Sequence, residues 1–131
     1  MIVVLDASAA LGILLKKEQS ETYTDMLKEA RTVMAPELYL SELSNAAWKH
    51  HKLPGFSDAQ AMALAEDGIA LVDQYVPANE LWQEALRVSM MHDHPVYDAM
   101  YVICARRHGG VLLTYDQRLR QLCRRAGVEV L

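Results

Sequence analysis

The chain has 131 residues, of which 52% are hydrophobic and 23% are charged, and its formal net charge at pH 7 is −4. This length suits one domain, able to bury about two-thirds of the surface that the unfolded chain exposes. The high apolar fraction and the few Gly and Pro residues exclude a disordered or fibrous chain.

Cellular location is indicated by what the sequence does not contain. No apolar run approaches the length of a membrane span, and the apolar N-terminal stretch lacks a basic leader and is interrupted by Asp6. Two cysteines, Cys104 and Cys123, form no motif and suit a reducing compartment. We therefore expect a cytoplasmic protein with no membrane contact.

The first half of the chain alternates short apolar runs with helical patterns. In chain order, these patterns predict a strand over 2–5, a helix from Ser8, a helix over about 18–31, a strand over 32–35, a helix over 36–51 and a helix over about 58–70. Pro36 is expected in the first turn of its helix, and Ser57 or Asp58 is expected to cap the last one.

The second half continues the alternation. In chain order it predicts a strand within "LVDQYV" (71–76), a helix from Asn79 to about Met91, a helix within 92–110, a strand over 111–114, a helix over 116–127 and a strand over 128–131. Asn79 is the expected cap of its helix, and the pair Gly109 and Gly110 ends the next one.

Strands separated by helices predict a parallel sheet with helices on both faces. We expect a single three-layer α/β/α domain over residues 1–131, with a five-stranded, mainly parallel sheet. If the chain winds one way through the first three strands and then reverses, strands 1 and 4 become neighbours. The functional crevice of such a sheet lies at the carboxyl ends of the strands, at that reversal point.

Four carboxylates occupy positions that face this edge. Asp6 directly follows the first strand and Asp116 follows the fourth, although both are also common helix-cap positions. Glu42 borders the apolar face of the 36–51 helix, where a solvated edge residue is the alternative. Asp98 lies in the first turn of an otherwise apolar helix. We expect the four acids to converge, with Asp6 and Asp116 meeting at the reversal point.

Asp98 is the hardest of the four to explain by folding alone. A helix dipole contributes less than about 1 kcal/mol at an exposed end, which does not offset burial of a charge. A cation is therefore expected beside Asp98, either an arginine or a metal ion. Since like charges repel and the expected ligands are all carboxylates, a hard divalent ion is indicated: Mg²⁺, or Mn²⁺ in its place. Such an ion is a common cofactor of enzymes that hydrolyse phosphodiesters.

The motifs "VVLDASAAL", "APELYLSELSNAAWK", "HPVYDAMYVICARRHGGVLLTYDQRL" and the terminal "GVEVL" span the chain. In this order they resemble PIN domains, and closely the VapC-type toxin ribonucleases of bacterial and archaeal toxin–antitoxin pairs. The resemblance implies that Asp6, Glu42, Asp98 and Asp116 bind Mg²⁺, and that Ser8 and Thr114 support the site.

The resemblance also implies an activity and partners. These are metal-dependent cleavage of RNA that leaves 5′-phosphate and 3′-hydroxyl ends, a homodimer, and inhibition by a cognate VapB-type antitoxin that lies over the site. Asp93 lies in the loop before the helix that carries Asp98 and is a possible addition to the site. The alternative is that Asp93 is a solvent-exposed loop residue.

Positive charge is concentrated near the C-terminal end. Residues 1–103 hold seven Lys/Arg and 15 Asp/Glu, whereas residues 104–131 hold six arginines and two acids. These arginines form either a solvated helix face or a phosphate-binding patch. The expected RNA contacts are Arg118 and Arg120, together with Lys49 and Lys52.

Other interpretations stay open at this stage. One is a PIN-fold module that binds RNA without cutting it. Another is a Mg²⁺-dependent phosphatase with an Asp nucleophile, against which position 8 is Ser where a second Asp is usual. His92 and His94 lack the further soft ligands that a zinc site needs.

Overall fold

A computed structural model describes the whole chain, residues 1–131. The four strands are β1 (Ile2–Leu5), β2 (Thr32–Pro36), β3 (Gln74–Val76) and β4 (Val111–Leu113). They form one sheet in the order β3-β2-β1-β4, and every neighbouring pair is parallel. The apolar, β-branched run at the start of the chain explains why β1 is central, because its residues are covered on both faces.

Seven helices cover this sheet. They are α1 (Ala7–Leu14), α2 (Ser20–Glu29), α3 (Leu38–His51), α4 (Asp58–Ala70), α5 (Ala78–His92), α6 (Val96–His108) and α7 (Gln117–Ala126). Helix α1 contacts α2, α3 and α4, whereas α5, α6 and α7 contact one another, and α6 also packs on β1, β2 and β4. The expected three-layer α/β/α architecture is confirmed.

The predicted reversal of winding is also confirmed. The chain steps outward from β1 to β2 to β3, and the crossover through α5 and α6 returns it to β4 on the other side of β1. Val3 of β1 is in register with Val33 of β2 and with Val111 of β4. The carboxyl ends of β1 and β4 therefore meet at one edge of the sheet.

The predicted fifth strand is wrong. Residues 129–131 make three backbone hydrogen bonds to Leu112 and Thr114, but only Val130 pairs in register, with Leu112. The preceding residues are used to end α7, where Gly127 takes a positive φ of 73° and Val128 N–H donates to the Cys123 carbonyl. The segment therefore borders β4 as a single bridge.

Two predicted helix starts are also displaced. Pro36 lies at the end of β2, paired with Val76, and α3 begins two residues later. Helix α5 is capped by Pro77 in extended conformation and not by Asn79. The Ser57 cap is confirmed, because Ser57 and Gln60 exchange side-chain and backbone hydrogen bonds at the start of α4.

The core is one cluster of 33 buried apolar residues. Cys104 and Cys123 belong to it as free thiols, and burial raises the pKa of each to about 12. Only three polar residues are buried: Asp6, His94 and Thr114. Buried polar groups call for partners, and all three lie at or near the carboxyl edge of the sheet. No helix is both long enough and apolar enough to cross a bilayer.

Candidate active site

Asp6 and Thr114 lie side by side at the edge where β1 and β4 end. Their positions follow from the register, because Leu5 pairs with Leu113 one residue earlier on each strand. The Asp6 N–H donates to the Leu113 carbonyl at 3.3 Å, and the Thr114 hydroxyl donates to Asp6 Oδ2. Asp116 was expected to meet Asp6 at this point, but the direct neighbour of Asp6 is Thr114.

Asp6 is held on both carboxylate oxygens. Its Oδ1 accepts from the Ser8 hydroxyl at 2.7 Å and from the Ala9 N–H at 2.8 Å, so that Asp6 is also the N-cap of α1. Burial raises the pKa of Asp6 to about 6, against the opposing effect of these hydrogen bonds, and the nearby Glu42 raises it further. Ser8 does not cap the helix, and its hydroxyl instead supports Asp6, as the resemblance implied.

Glu42 is tied to a helix of the opposite layer. It lies half-buried on α3, and its Oε1 accepts a hydrogen bond of 2.5 Å from the hydroxyl of Tyr101 on α6. Burial raises the pKa of Glu42, the Tyr101 hydrogen bond lowers it, and the charges of Asp98 and Asp116 raise it. Glu42 thus lies within electrostatic reach of all three other acids, because Asp6 responds to its charge as well.

The carboxylate of Asp98 is hydrogen-bonded to a histidine that was not predicted to belong to the site. Asp98 is the third residue of α6, and its Oδ2 lies 2.6 Å from Nε2 of His94. The side chain of His94 is 4% exposed and that of Asp98 is 25% exposed. Of the two cations expected beside Asp98, an arginine or a metal ion, no arginine is paired with it, and burial of Asp98 is less complete than the apolar sequence around it indicated.

Asp116 caps α7 at the outer side of the edge. Its Oδ1 accepts from the backbone N–H groups of Arg118 and Leu119, and its own N–H donates to the Thr114 hydroxyl. Asp116 is exposed, and the hydrogen-bond chain through Thr114 connects it to Asp6. Capping uses one oxygen, so the other carboxylate oxygen faces solvent without a partner.

The four acids share one electrostatic environment, and no lysine or arginine neutralises it. The chain has three salt bridges, and none of them joins a lysine or an arginine to Asp6, Glu42, Asp98 or Asp116. Burial is the main cause of the raised pKa of Asp6 and of Glu42, and the charges of the neighbouring acids raise both pKa values further. The arrangement therefore favours a bound cation.

The donor set fits a hard divalent ion, although the ligands do not yet converge. As the side chains stand, no three His, Cys, Asp or Glu residues form a group that could hold a metal ion. Glu42, Asp98 and Asp116 each keep one carboxylate oxygen outside the hydrogen bonds described above. These free oxygens are ligands of the type that Mg²⁺ prefers, and they would have to turn toward one another to complete a site.

Asp93 stands apart from this group. It is exposed, adopts a left-handed conformation with φ of 50°, and ends α5 through its N–H, which donates to the Ser89 carbonyl. Its observed contacts are those of a helix C-cap.

The predicted RNA contacts fall into two groups. Arg118, Lys49 and Lys52 are exposed, with the Lys52 ammonium 3.9 Å from the centre of the Trp48 ring. Arg120 is engaged internally, because its guanidinium donates to the Thr114 carbonyl and to the Tyr23 hydroxyl, each at 2.9 Å. Thus Arg120 supports the backbone beside the site, which the sequence pattern did not indicate.

Among the other C-terminal arginines, two are bonded within the protein and two are exposed without a salt bridge. Arg106 donates to the Ala126 carbonyl and Arg107 pairs with Glu84. Arg124 and Arg125 are exposed and, like Arg118, form no salt bridge. Three free arginines therefore lie on α7, whose N-terminal cap is Asp116.

The acids lie on an open edge and not in a deep pocket. A cavity of about 810 Å³ lies around the α1–α2 connection, and none of the four acids lines it. An open edge suits a polymeric substrate better than a small molecule, which proteins usually enclose.

Two contacts of the site were not predicted from the sequence. His94 lies four residues before Asp98, a spacing that brings side chains together on a helix and that was visible in "HDHPVYD". Tyr101 and Glu42 are 59 residues apart and belong to different layers, so no local pattern could have joined them.

Comparison with known proteins points to one family. The sequence model described as "PIN domain" matches residues 3–125 of this chain. Ribonuclease VapC3 of Pyrobaculum aerophilum is 29% identical over 126 residues, which cover 92% of this chain and 94% of that protein.

Solved structures agree in fold. The structure of VapBC2 from Rickettsia felis bound to a DNA fragment from their promoter is similar with a TM-score of 0.70 at 12% identity, covering 100% of this chain and 98% of that one. VapC20 of Mycobacterium tuberculosis, described as a sarcin-ricin loop cleaving toxin, is similar with a TM-score of 0.67 at 17% identity, covering 91% and 93%. At these identities the likeness shows the fold alone.

Proposed function

The chain belongs to the PIN-domain family, and from this premise we propose that it is a VapC-type ribonuclease that hydrolyses RNA with Mg²⁺, or with Mn²⁺ in its place. The observation that carries the proposal is the group of four acids, Asp6, Glu42, Asp98 and Asp116, at one open edge with no lysine or arginine paired to them. The name of the Pyrobaculum aerophilum relative supports ribonuclease as the activity.

Asp6 and Glu42 are held in place for this role by neighbouring hydroxyl groups. Ser8 and Thr114 donate to Asp6, and Tyr101 donates to Glu42. Burial and the nearby Glu42 raise the pKa of Tyr101 well above its ordinary value, so its hydroxyl stays protonated and remains a donor at neutral pH. Fixed donors of this kind hold the carboxylates in place, which limits the reorganisation that cation binding requires.

Glu42, Asp98 and Asp116 would hold the cation through their free oxygens, and Asp6 would hold it through an oxygen that also accepts a hydrogen bond. When bound, Mg²⁺ supplies a water of lowered pKa and polarises a phosphoryl oxygen of the RNA. Asp116 is the most exposed of the acids, so it faces the incoming substrate. With the 3′-oxygen as the leaving group, as the family resemblance implies, attack of water at phosphorus would give 5′-phosphate and 3′-hydroxyl ends.

RNA would be held by basic residues outside the acidic edge. Arg118, Lys49 and Lys52 are exposed and available for phosphates, and Arg124 and Arg125 are exposed near the end of the same helix as Arg118. Charge on α7 would steer and retain the RNA backbone without reading its sequence.

The proposed partners are a cognate VapB-type antitoxin and a second copy of this chain. The described Rickettsia felis structure contains VapB with VapC, which supports an antitoxin partner here. Trp82, Leu86 and Met90 are exposed and spaced four residues apart on α5, which gives an apolar strip suited to a protein contact.

A cleavage assay tests this proposal. Purified protein is incubated with single-stranded RNA and Mg²⁺, and the ends of the products are determined. Wild type and Glu37→Gln, which alters an exposed acid at the start of α3, are expected to cut at similar rates, whereas Glu42→Gln is expected to be inactive. Binding of RNA without any cleavage by the wild type would favour the non-catalytic module instead.

A further inference from the structure

His94 has an unusual position for a histidine that belongs to no assigned site. It is one of three buried polar residues in the chain, and the other two, Asp6 and Thr114, are hydrogen-bonded to each other at the acidic edge. The side chain of His94 is 4% exposed, and its Nε2 lies 2.6 Å from Oδ2 of Asp98. Among the four acids, Asp98 alone has such a side-chain partner that can carry a positive charge.

The turn between α5 and α6 places His94 there. Asp93 takes the left-handed conformation that ends α5, and the N–H of His94 donates to the Ser89 carbonyl in the same motif. Pro95 then caps α6 in extended conformation. His94 is thereby fixed one turn before Asp98, and the two side chains meet across the first turn of α6.

The geometry also sets the direction of the hydrogen bond. Because an ionised carboxylate only accepts hydrogen bonds, the short contact requires a proton on Nε2 of His94. The bond occupies Oδ2 of Asp98 and leaves Oδ1 without a side-chain partner. Outer-shell donors of this kind orient the carboxylates that bind metals.

We propose that His94 is a positioning residue: its Nε2–H holds Asp98 so that Oδ1 is presented to the divalent cation. The proposal rests on the proposed function for the cation itself, and it adds a residue that does not touch the cation. His94 therefore sets the affinity of the site by restricting the Asp98 side chain.

The test measures Mn²⁺ binding to the metal-free protein by calorimetry, without RNA. His94→Gln keeps an N–H donor at a similar reach, whereas His94→Phe keeps a ring of similar size and removes the donor. We expect His94→Gln to bind Mn²⁺ within about 3-fold of wild type, and His94→Phe to bind it about 10- to 100-fold more weakly. Circular dichroism checks that each variant is folded.

A second measurement uses the wild type and does not depend on a variant folding. The ¹⁵N and ¹H correlation pattern of the imidazole reports which nitrogen of His94 carries the proton. We expect a proton on Nε2, and we expect the pattern to change in Asp98→Asn. A His94 ring protonated on Nδ1 alone would overturn the proposal.

The outcomes separate this proposal from the proposed function. If wild type and His94→Phe bind Mn²⁺ equally, or if His94→Gln is as weak as His94→Phe, the positioning role is overturned and the ribonuclease proposal stands. If the expected binding pattern is found but RNA is not cut, the ribonuclease proposal is overturned and the positioning role stands. A wild type that binds no Mn²⁺ overturns both.

Discussion

The hydroxyl of Tyr101 donates a 2.5 Å hydrogen bond to Oε1 of Glu42 and so joins two helices from opposite layers at the carboxyl edge of the sheet. Tyr101 belongs to α6 and is 1% exposed, so its ring is fixed in the hydrophobic core of the protein. The rigid side of this contact is therefore the tyrosine, and the carboxylate is the group that it positions.

Tyr101→Phe tests this contact with little change in volume. We expect a loss of activity of about 10-fold, because Glu42 loses the donor that holds it, and a loss of stability of only about 1 kcal/mol. Steady-state cleavage and urea unfolding measure the two effects.

Tyr39→Phe is the matched control for this variant. Its hydroxyl is equally buried and donates to the Gly68 carbonyl, so its removal should lower stability without the loss of activity. Equal activity losses in both variants would contradict a specific role of Tyr101.

Asp6→Asn should stabilise the metal-free protein above pH 6. Burial raises the pKa of Asp6 from 3.8 to about 6, so the folded state holds the proton more tightly than the unfolded state. The free energy of unfolding of the wild type therefore falls as pH rises from about 4 to about 6, by at most about 3 kcal/mol. Asn carries no charge and removes this dependence.

Urea unfolding in EDTA at pH 5 and pH 8 measures the effect. The stability difference between Asp6→Asn and wild type should be larger at pH 8, because Asp6 is mostly protonated in the folded state at pH 5. If the free energy of unfolding depends on pH in the same way in both proteins, ionisation of Asp6 does not destabilise the folded state.

Replacing Arg118, Arg124 and Arg125 together by Gln should weaken RNA binding and reduce its salt dependence. Each lost contact between an arginine and a phosphate lowers the slope of log affinity against log salt by about 0.7 for a single strand. Binding of RNA to an Asp98→Asn background, measured at several salt concentrations, avoids cleavage during the titration.

A control with the same change in charge is available. It replaces three arginines on other helices or loops: Arg31, Arg87 and Arg107. An equal loss of affinity in this control would mean that net charge, and not the α7 surface, governs binding.

Arg120→Gln should behave as a stability variant. The guanidinium of Arg120 bonds to the Thr114 carbonyl and the Tyr23 hydroxyl, so its removal should lower the free energy of unfolding by about 1–3 kcal/mol. The salt slope of RNA binding should stay the same. A changed slope at unchanged stability would restore the original prediction of Arg120 as an RNA contact.

Much of the fold could be predicted from the sequence. Apolar runs separated by helical patterns restrict the topology to a parallel sheet, and the position of Asp6 after the first run placed it at the functional edge. The errors were local. Pro36 extends β2, where it pairs with Val76 at the last position of the strand, and residues 129–131 form a single bridge where a strand was expected.

The partners of the acids were harder to predict than the acids themselves. That Thr114 and not Asp116 contacts Asp6 depends on the register of β1 with β4. The Tyr101–Glu42 contact depends on how two helices pack across the sheet edge. His94 was visible at four-residue spacing from Asp98, but only the turn at Asp93 decides that the two side chains meet.

The most direct test of the central claim is the initial rate of RNA cleavage with Mg²⁺, with EDTA, and after Mg²⁺ is restored, for wild type, Asp98→Asn and Asp93→Asn. Asp93 is the matched control, because it is an exposed acid in the adjoining loop and Asn tolerates its left-handed conformation. We predict that wild type and Asp93→Asn cut RNA, lose activity in EDTA and regain it with Mg²⁺, while folded Asp98→Asn does not cut. Cleavage by Asp98→Asn at the wild-type rate, or cleavage that persists in EDTA, would contradict the account.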